Sequence, residues 1–228
     1  MKNLPNHIAF IMDGNRRWAK KRGFSKTLGH KKGAEVLVNT IKSLCEFKEV
    51  KYASFFAFST ENWNREKSEV DAIFALVEDI FNKHEEEFKK LNIKFVFVGD
   101  ISRFPKSMQE RLIKVSENSK NNLGLTVQLA LNYGGRDDIV QAVNKLIESG
   151  ACNVTEEDIK RNLLTYPAPD IDFLIRTSGE ERISNFMLFQ LAYSEFYFPK
   201  YFWPSFNRRK LLKALKIYSK RNRRFGGN

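Results

Sequence analysis

The feature that most constrains this chain is a repeated change of hydrophobic period. Continuous apolar runs, IAFIM (8–12), YASFFAF (52–58), IKFVFVG (93–99), LTVQLALN (125–132) and IDFLIRT (171–177), alternate with segments of helical pattern. A shorter run lies near EFYF (195–198). Helical segments are read near 30–47, 68–90, 105–120, 135–149 and 156–163, with more after 184. Val70, Ile73, Phe74, Val77, Ile80 and Phe81 carry the 3.6-residue period clearly. Strands that are apolar at every position are buried on both faces. The pattern therefore predicts an α/β fold, with a central, mainly parallel sheet flanked by helices. No repeat, low-complexity tract or Pro/Gly/Ser-rich linker divides the 228 residues, so a single domain spanning 1–228 is expected. The stretch 207–225 reads as a basic amphipathic helix.

The residues just past each strand matter as much. The successive runs lead into Asp13-Gly14-Asn15, the segment Ser59 to Arg65, Gly99-Asp100, Asn132-Tyr133-Gly134-Gly135-Arg136, and Arg176-Thr177-Ser178-Gly179-Glu180. In parallel α/β sheets ligands bind beyond the carboxyl ends of the strands. Five strand ends thus offer polar groups and glycines to one rim.

Charge narrows the ligand. The chain carries 39 Lys and Arg against 27 Asp and Glu, a formal +12. That balance suits phosphorylated substrates, acidic lipid or nucleic acid. Cys45 and Cys152 form no CxxC pair, which speaks against a zinc site or disulfide framework and fits a reducing cytosol. No signal-peptide h-region is read at the N-terminus, and no apolar stretch approaches the roughly 20 residues needed to span a bilayer. A cytoplasmic protein, working at or near the inner membrane face, is expected.

Asp-Gly-Asn alone is a common helix-starting turn. Arg16, Arg17, Lys20, Lys21 and Arg22 change its meaning. A helix N-terminus and guanidinium groups favour anions, whereas a neighbouring carboxylate repels a bare phosphate unless a divalent cation bridges them. Mg²⁺ is held by one or two carboxylates plus substrate phosphates, so this stretch reads as a metal–diphosphate site. His30 stands at a helix start beside the same cations, where it would touch phosphate or move a proton. Ser59 to Arg65 resembles a partial capping box, which does not account for Trp63 and Arg65 in one turn. Arg176 to Ser184 sets two arginines around a glycine turn, a pattern suited to an anion. Glu195, inside an aromatic run, needs a metal or an arginine as partner. Asp137 and Asp138 are acids expected of any helix start. Neither a Walker loop nor GxGxxG occurs.

HIAFIMDGNRRWAKKRG, GHKKG, FAFSTENWNR, RTSGEERISNFMLFQLAYSEFYF, WPSF and RRFGG together resemble the cis-prenyltransferases, most closely the bacterial members that make undecaprenyl diphosphate. The resemblance runs from about residue 6 to the C-terminus. It implies a homodimer that uses Mg²⁺ to condense isopentenyl diphosphate repeatedly onto farnesyl diphosphate, yielding a cell-wall carrier lipid. It assigns Asp13 to Mg²⁺ and the allylic diphosphate, and Gly14, Asn15, Arg16, Arg17 and Trp18, with Lys26 and His30, to diphosphate binding. Ser59, Thr60, Glu61, Trp63 and Arg65 match a second substrate segment, and Asn62 matches the proton acceptor. Arg176, Arg182, Ile183 and Ser184 match the isopentenyl diphosphate clamp, Glu195 a metal ligand. Arg224-Phe225-Gly226 matches a tail that reaches the partner subunit's site, which would put 207–228 at or near the dimer interface.

Three positions depart from the pattern. Arg16 replaces a common Gly, Lys26 an Arg with bidentate geometry, and Glu181 a His. Asn62 is a weak base, so water, His30 or the substrate's own diphosphate are further candidates for taking the proton, with Asn62 orienting it. The helix Val70–Phe88 is expected to line a product tunnel, and release of a long chain is expected to be slow, with peripheral membrane contact assisting it. The rival readings are a nucleic-acid binder, a non-catalytic subunit of the same fold, and another phosphoryl-transfer enzyme. No nucleic-acid partner is expected.

Overall fold

The computed structural model describes residues 3–221. Six strands form one sheet: β1 (His7–Ile11), β2 (Tyr52–Ser59), β3 (Lys94–Val98), β4 (Thr126–Tyr133), β5 (Phe173–Arg176) and β6 (Glu195–Tyr197). Their order is β3-β4-β2-β1-β5-β6, and every pairing is parallel. Around it lie α1 (Asn15–Lys20), α2 (Lys26–Leu44), α3 (Lys67–Lys90), α4 (Lys106–Ser119), α5 (Gly135–Glu148), α6 (Glu156–Asn162) and α7 (Arg208–Tyr218).

Alternation along β1 divides the core. Ile8 and Phe10 join a large cluster with Val36, Ile41, Phe74, Phe81, Met108 and Leu215, drawn from α2, α3, α4 and α7. Ala9 and Ile11 point to the other face, onto Ala130, Leu174, Phe186, Met187 and Leu191. Each fully buried large apolar side chain contributes about 1.5–3 kcal/mol. Phe10 stacks on Phe55 across β1 and β2, ring centroids 4.8 Å apart. Beneath the second face runs a polar thread. His7 Nδ1 donates to the Pro169 carbonyl at 2.7 Å, and Ser54, Gln128, Thr165 and Gln190 continue the thread in hydrogen-bonded succession.

The order positions the site. The chain leaves β1 towards β2 on one side, while β5, on β1's other side, leads outward to β6. This reversal makes the topological switch point of the sheet, and a crevice opens beyond the carboxyl ends of β1 and β5. Asp13 and Arg176 stand there.

Several expectations change. α2 begins at Lys26 rather than near 30, because the Ser25 hydroxyl accepts from the Leu28 N–H at 3.2 Å and caps it. No helix occupies 184–194: these residues form turns, with φ of 49°, 61° and 38° at Ser184, Asn185 and Met187. Right-handed helix excludes those angles. The basic helix is shorter than 207–225, ending at Tyr218, and Arg224-Phe225-Gly226 lies outside the described residues. Asp138 is more than a helix-start acid. It is buried and accepts from the Tyr133 hydroxyl and the Leu164 N–H, both at 2.8 Å. Among the described residues no helix is long and apolar enough to cross a membrane.

Candidate active site

Two adjoining cavities open at the switch point, of about 930 Å³ and about 900 Å³. Met12, Asp13, Asn15, His30 and Arg65 line both, so Asp13 stands where they meet. The first also takes in Ser59, Glu61, Asn62, Arg136, Arg176, Arg182, Ile183 and Ser184. The second adds Gly14, Arg16, Arg17, Lys20 and Lys26. Gly14 is required by its backbone. Its φ is +103°, and a Cβ there would fall 2.6 Å from a Phe202 ring carbon.

Asp13 is held on both oxygens. Arg17 donates to Oδ1 at 3.0 Å and Arg176 to Oδ2 at 2.9 Å, while the Thr177 hydroxyl and Trp203 N–H fix the Asp13 carbonyl. Burial acts to raise the Asp13 pKa, but the hydrogen bonds from Arg176 and Arg17 outweigh it and hold the carboxyl below its usual range. Arg176 is 5% exposed and also donates to the Ser184 hydroxyl at 2.8 Å and to the Arg182 carbonyl. The other clamp side chain is freer: Arg182 is 61% exposed and pairs with Glu180, which also takes Arg17. An anion entering the cavity can exchange with that carboxylate for both guanidinium groups.

Across the crevice, buried Glu69 gathers a second set. Arg65 donates to it at 3.0 Å, His30 at 3.3 Å, and Arg16 lies 3.9 Å away. A carboxylate only accepts, so His30 Nε2 carries the proton and Nδ1 keeps a lone pair. Burial pushes the His30 pKa down, and Arg65 adds to this against the opposing charge of Glu69. His30 is therefore neutral at neutral pH. Asn62 is engaged as a helix-turn cap, its Oδ1 accepting from the Ser59 N–H at 3.2 Å. That leaves amide N–H donors, not a proton acceptor, for the cavity.

A family model described as "Putative undecaprenyl diphosphate synthase" matches residues 11–226. The chain belongs to this family. An isoprenyl transferase of Clostridium tetani is 46% identical over 233 residues, covering 100% of this chain and 91% of the relative. One from Fusobacterium nucleatum is 46% identical, covering 99% and 97%. Among solved structures, a lavandulyl diphosphate synthase from Lavandula x intermedia in complex with dimethylallyl diphosphate superposes with TM-score 0.94 at 37% identity, covering 98% of both chains. A structure described as a "probable undecaprenyl diphosphate synthase" from Campylobacter jejuni gives 0.83 at 34%, covering 99% of this chain and 100% of that one. The chain is thus a prenyl-transferring enzyme with this family's fold.

In this isoprenyl transferase some anticipated side chains build the site without lining it. Trp18 donates its ring N–H to the Ser205 hydroxyl at 3.1 Å and packs on Phe24, anchoring α1. Trp63 donates to Asn132 Oδ1 at 2.8 Å and locks into Phe58, Phe74 and Phe104. Thr60 sits against Gly134, where an added Cβ would lie 3.2 Å from its hydroxyl oxygen. Lys26, by contrast, lines the second cavity, half exposed, and pairs with Glu66 at 3.5 Å. Glu195 is not brought to Asp13. It opens β6 opposite Phe173, which is level with Ile8, whereas Arg176 is level with Ile11. Within one chain that is about 10 Å back along the strands and about 10 Å across them. Among the described residues its carboxylate pairs with Arg221.

Glu69 and Asn185 were not singled out from the sequence, and Arg136 and Glu180 were named only as members of strand-end segments. Asn185 clasps three rim segments. Its side-chain oxygen accepts from the Arg136 N–H at 2.9 Å, its carbonyl from the Gly135 N–H at 2.6 Å, and its side chain bonds Glu61. An acid one helical turn beyond Arg65 was the available signal for Glu69. Nothing local marked Asn185.

Proposed function

We propose that this transferase elongates a prenyl chain with cis geometry, condensing isopentenyl diphosphate repeatedly onto farnesyl diphosphate to an eleven-unit, undecaprenyl-type diphosphate. The observation that carries the reading is the pair of cation-walled cavities meeting at one carboxylate, which suits two diphosphates whose carbon ends must touch. The allylic diphosphate occupies the cavity of Gly14, Asn15, Arg16, Arg17 and Lys26. Isopentenyl diphosphate occupies that of Arg176, Arg182 and Ser184, with Ile183 beside its carbon skeleton.

Mg²⁺ fits this donor set. Asp13 supplies one ionised hard oxygen ligand, and among the described residues no cluster of three or more His, Cys, Asp or Glu forms an all-protein cage. The remaining ligands would be supplied by substrate phosphate and water. When bound it supplies neutralisation of diphosphate charge. The chain's own groups do the rest. Arg16 and Arg17 stabilise charge growing on the leaving diphosphate, at about 1.4 kcal/mol per tenfold in rate. Arg176, fixed by Asp13 and Ser184, orients the incoming diphosphate so that its double bond meets the allylic carbon. The Nδ1 lone pair of neutral His30, lining both cavities, receives the proton lost from the incoming unit, and the Asn62 amide N–H groups orient the diphosphate.

A homodimer in the cytoplasm, delivering carrier lipid for cell-wall synthesis, completes the proposal. The test is incubation with farnesyl diphosphate, labelled isopentenyl diphosphate and Mg²⁺, with sizing of the product and sedimentation of the protein. Chelation should abolish elongation and Mg²⁺ should restore it. Asp13→Ala should lower activity at least ~10²-fold, and by leaving Arg176 without its carboxylate cost about 1–3 kcal/mol in stability. Elongation unaffected by Asp13→Ala refutes the reading.

A further inference from the structure

We infer that the segment 16–32 is a docking surface for an anionic lipid bilayer, set at the mouth of the second cavity. Its use in catalysis rests on the function proposed above; its existence rests on charge and exposure alone. Between Arg16 and Lys32 there are eight Lys and Arg and no Asp or Glu. Every residue from Lys20 to Leu28 is exposed. Amid the cations stand two large apolar side chains, Phe24 at 47% and Leu28 at 41% exposure.

The surface is built rather than incidental. The Arg22 guanidinium lies 4.6 Å from the Trp18 ring centroid, and Trp18 packs against Phe24 at 5.9 Å. Trp18 is itself tied to Ser205, so the hairpin between α1 and α2 is anchored to the body of the protein. Neighbouring acids are already engaged: Glu66 with Lys26, Glu69 with Arg16, Glu35 with Lys32. Among the described residues, Lys20, Lys21, Arg22 and Lys31 have no carboxylate partner. Leu28 and Lys31 lie three apart on α2 and so share a face.

Exposed apolar tips ringed by unpaired cations match the boundary between headgroups and acyl chains. The tips enter the hydrocarbon edge while the cations meet phosphate. Nucleic acid would use the cations and could stack on Phe24, but offers nothing to Leu28. The surface is continuous with the cavity, since Lys20, Gly23, Phe24 and Lys26 line its rim.

The test uses the full chain with vesicles of phosphatidylcholine alone or containing about 30 mol% phosphatidylglycerol. Flotation with the anionic vesicles only, lost as salt rises towards ~0.5 M, supports the inference. The triple variant Lys21→Glu, Leu28→Ser, Lys31→Glu removes charge and one apolar tip without touching a cavity-lining residue. It should need about tenfold or more lipid for half-binding, with elongation in detergent unchanged. No binding to anionic vesicles, equal binding by the variant, or binding of RNA through this segment without binding of vesicles overturns the inference. Flotation needs no turnover, so failure of the elongation assay and failure of this inference are separate results.

Discussion

The residues of the crevice work in opposed pairs, and their protonation is set by the pairing. His30 has its pKa lowered chiefly by burial, so between its folded pKa and the ordinary value of about 6.5 the folded chain binds fewer protons than the unfolded one. The acid limb of kcat/KM should accordingly lie below about pH 6.5. His30→Gln should abolish that limb and slow the reaction about 10²-fold, and a pH–rate profile checks both. Asn185 is held at φ 61°, an angle costing most other residues about 1–2 kcal/mol. Asn185→Ala also removes the bond to the Arg136 N–H. It should raise KM for isopentenyl diphosphate more than it lowers kcat, which steady-state kinetics would show. Asp13 and Arg176 were legible because they stand at strand ends with a glycine close by, and Arg182 because it follows Arg176 across a glycine turn. Asn185 was not, because its importance comes from touching residues about 50 and 125 positions away in sequence, partners that only the folded chain brings to it.

At the scale of elements, the alternation of periods was enough to place all six strands and the long helices, with ends shifted by a few residues. The segment after 184 was misread because Phe186, Met187, Leu188 and Leu191 fall at helical spacing while their backbone does not comply. Phe186, Met187 and Leu191 fill the smaller core face from turns, and Leu188 lines the first cavity. α3 was expected to line a product tunnel. Ile73 does reach the first cavity, but Phe74, one residue on, interlocks with Phe58, Trp63 and Phe104. In the proposed elongation, a chain growing along α3 past Ile73 would meet that aromatic cluster, and each five-carbon unit buried would stabilise the bound product by roughly 4 kcal/mol. Phe74→Leu should shift products to greater length at a stability cost of about 1–2 kcal/mol, read by product sizing and urea unfolding.

For the whole molecule, acid is the informative stress. His7, fully buried at the start of β1, has its pKa lowered from 6.5 to about 4 by burial, against the hydrogen bond to Pro169. The folded state stays unprotonated there while the unfolded state binds a proton. Stability should therefore fall by on the order of 3 kcal/mol as pH drops from about 6.5 to 4, and His7→Gln should flatten that dependence in pH-resolved urea unfolding. The sequence by itself determined the sheet, its parallel sense and the rim that bears the chemistry, because hydrophobic period and strand-end composition are local properties. It also determined the charge that fits anionic ligands. Only the tertiary structure decided that Asp13 is answered by Arg17 and Arg176, that Asn62 spends its oxygen on a cap, and that Glu195 belongs to Arg221. The Arg176 pairing depends on strand order and register, which bring Asp13 and a side chain 163 residues away within hydrogen-bonding distance, while the other three close over 4, 3 and 26 residues and rest on the local path of the folded backbone.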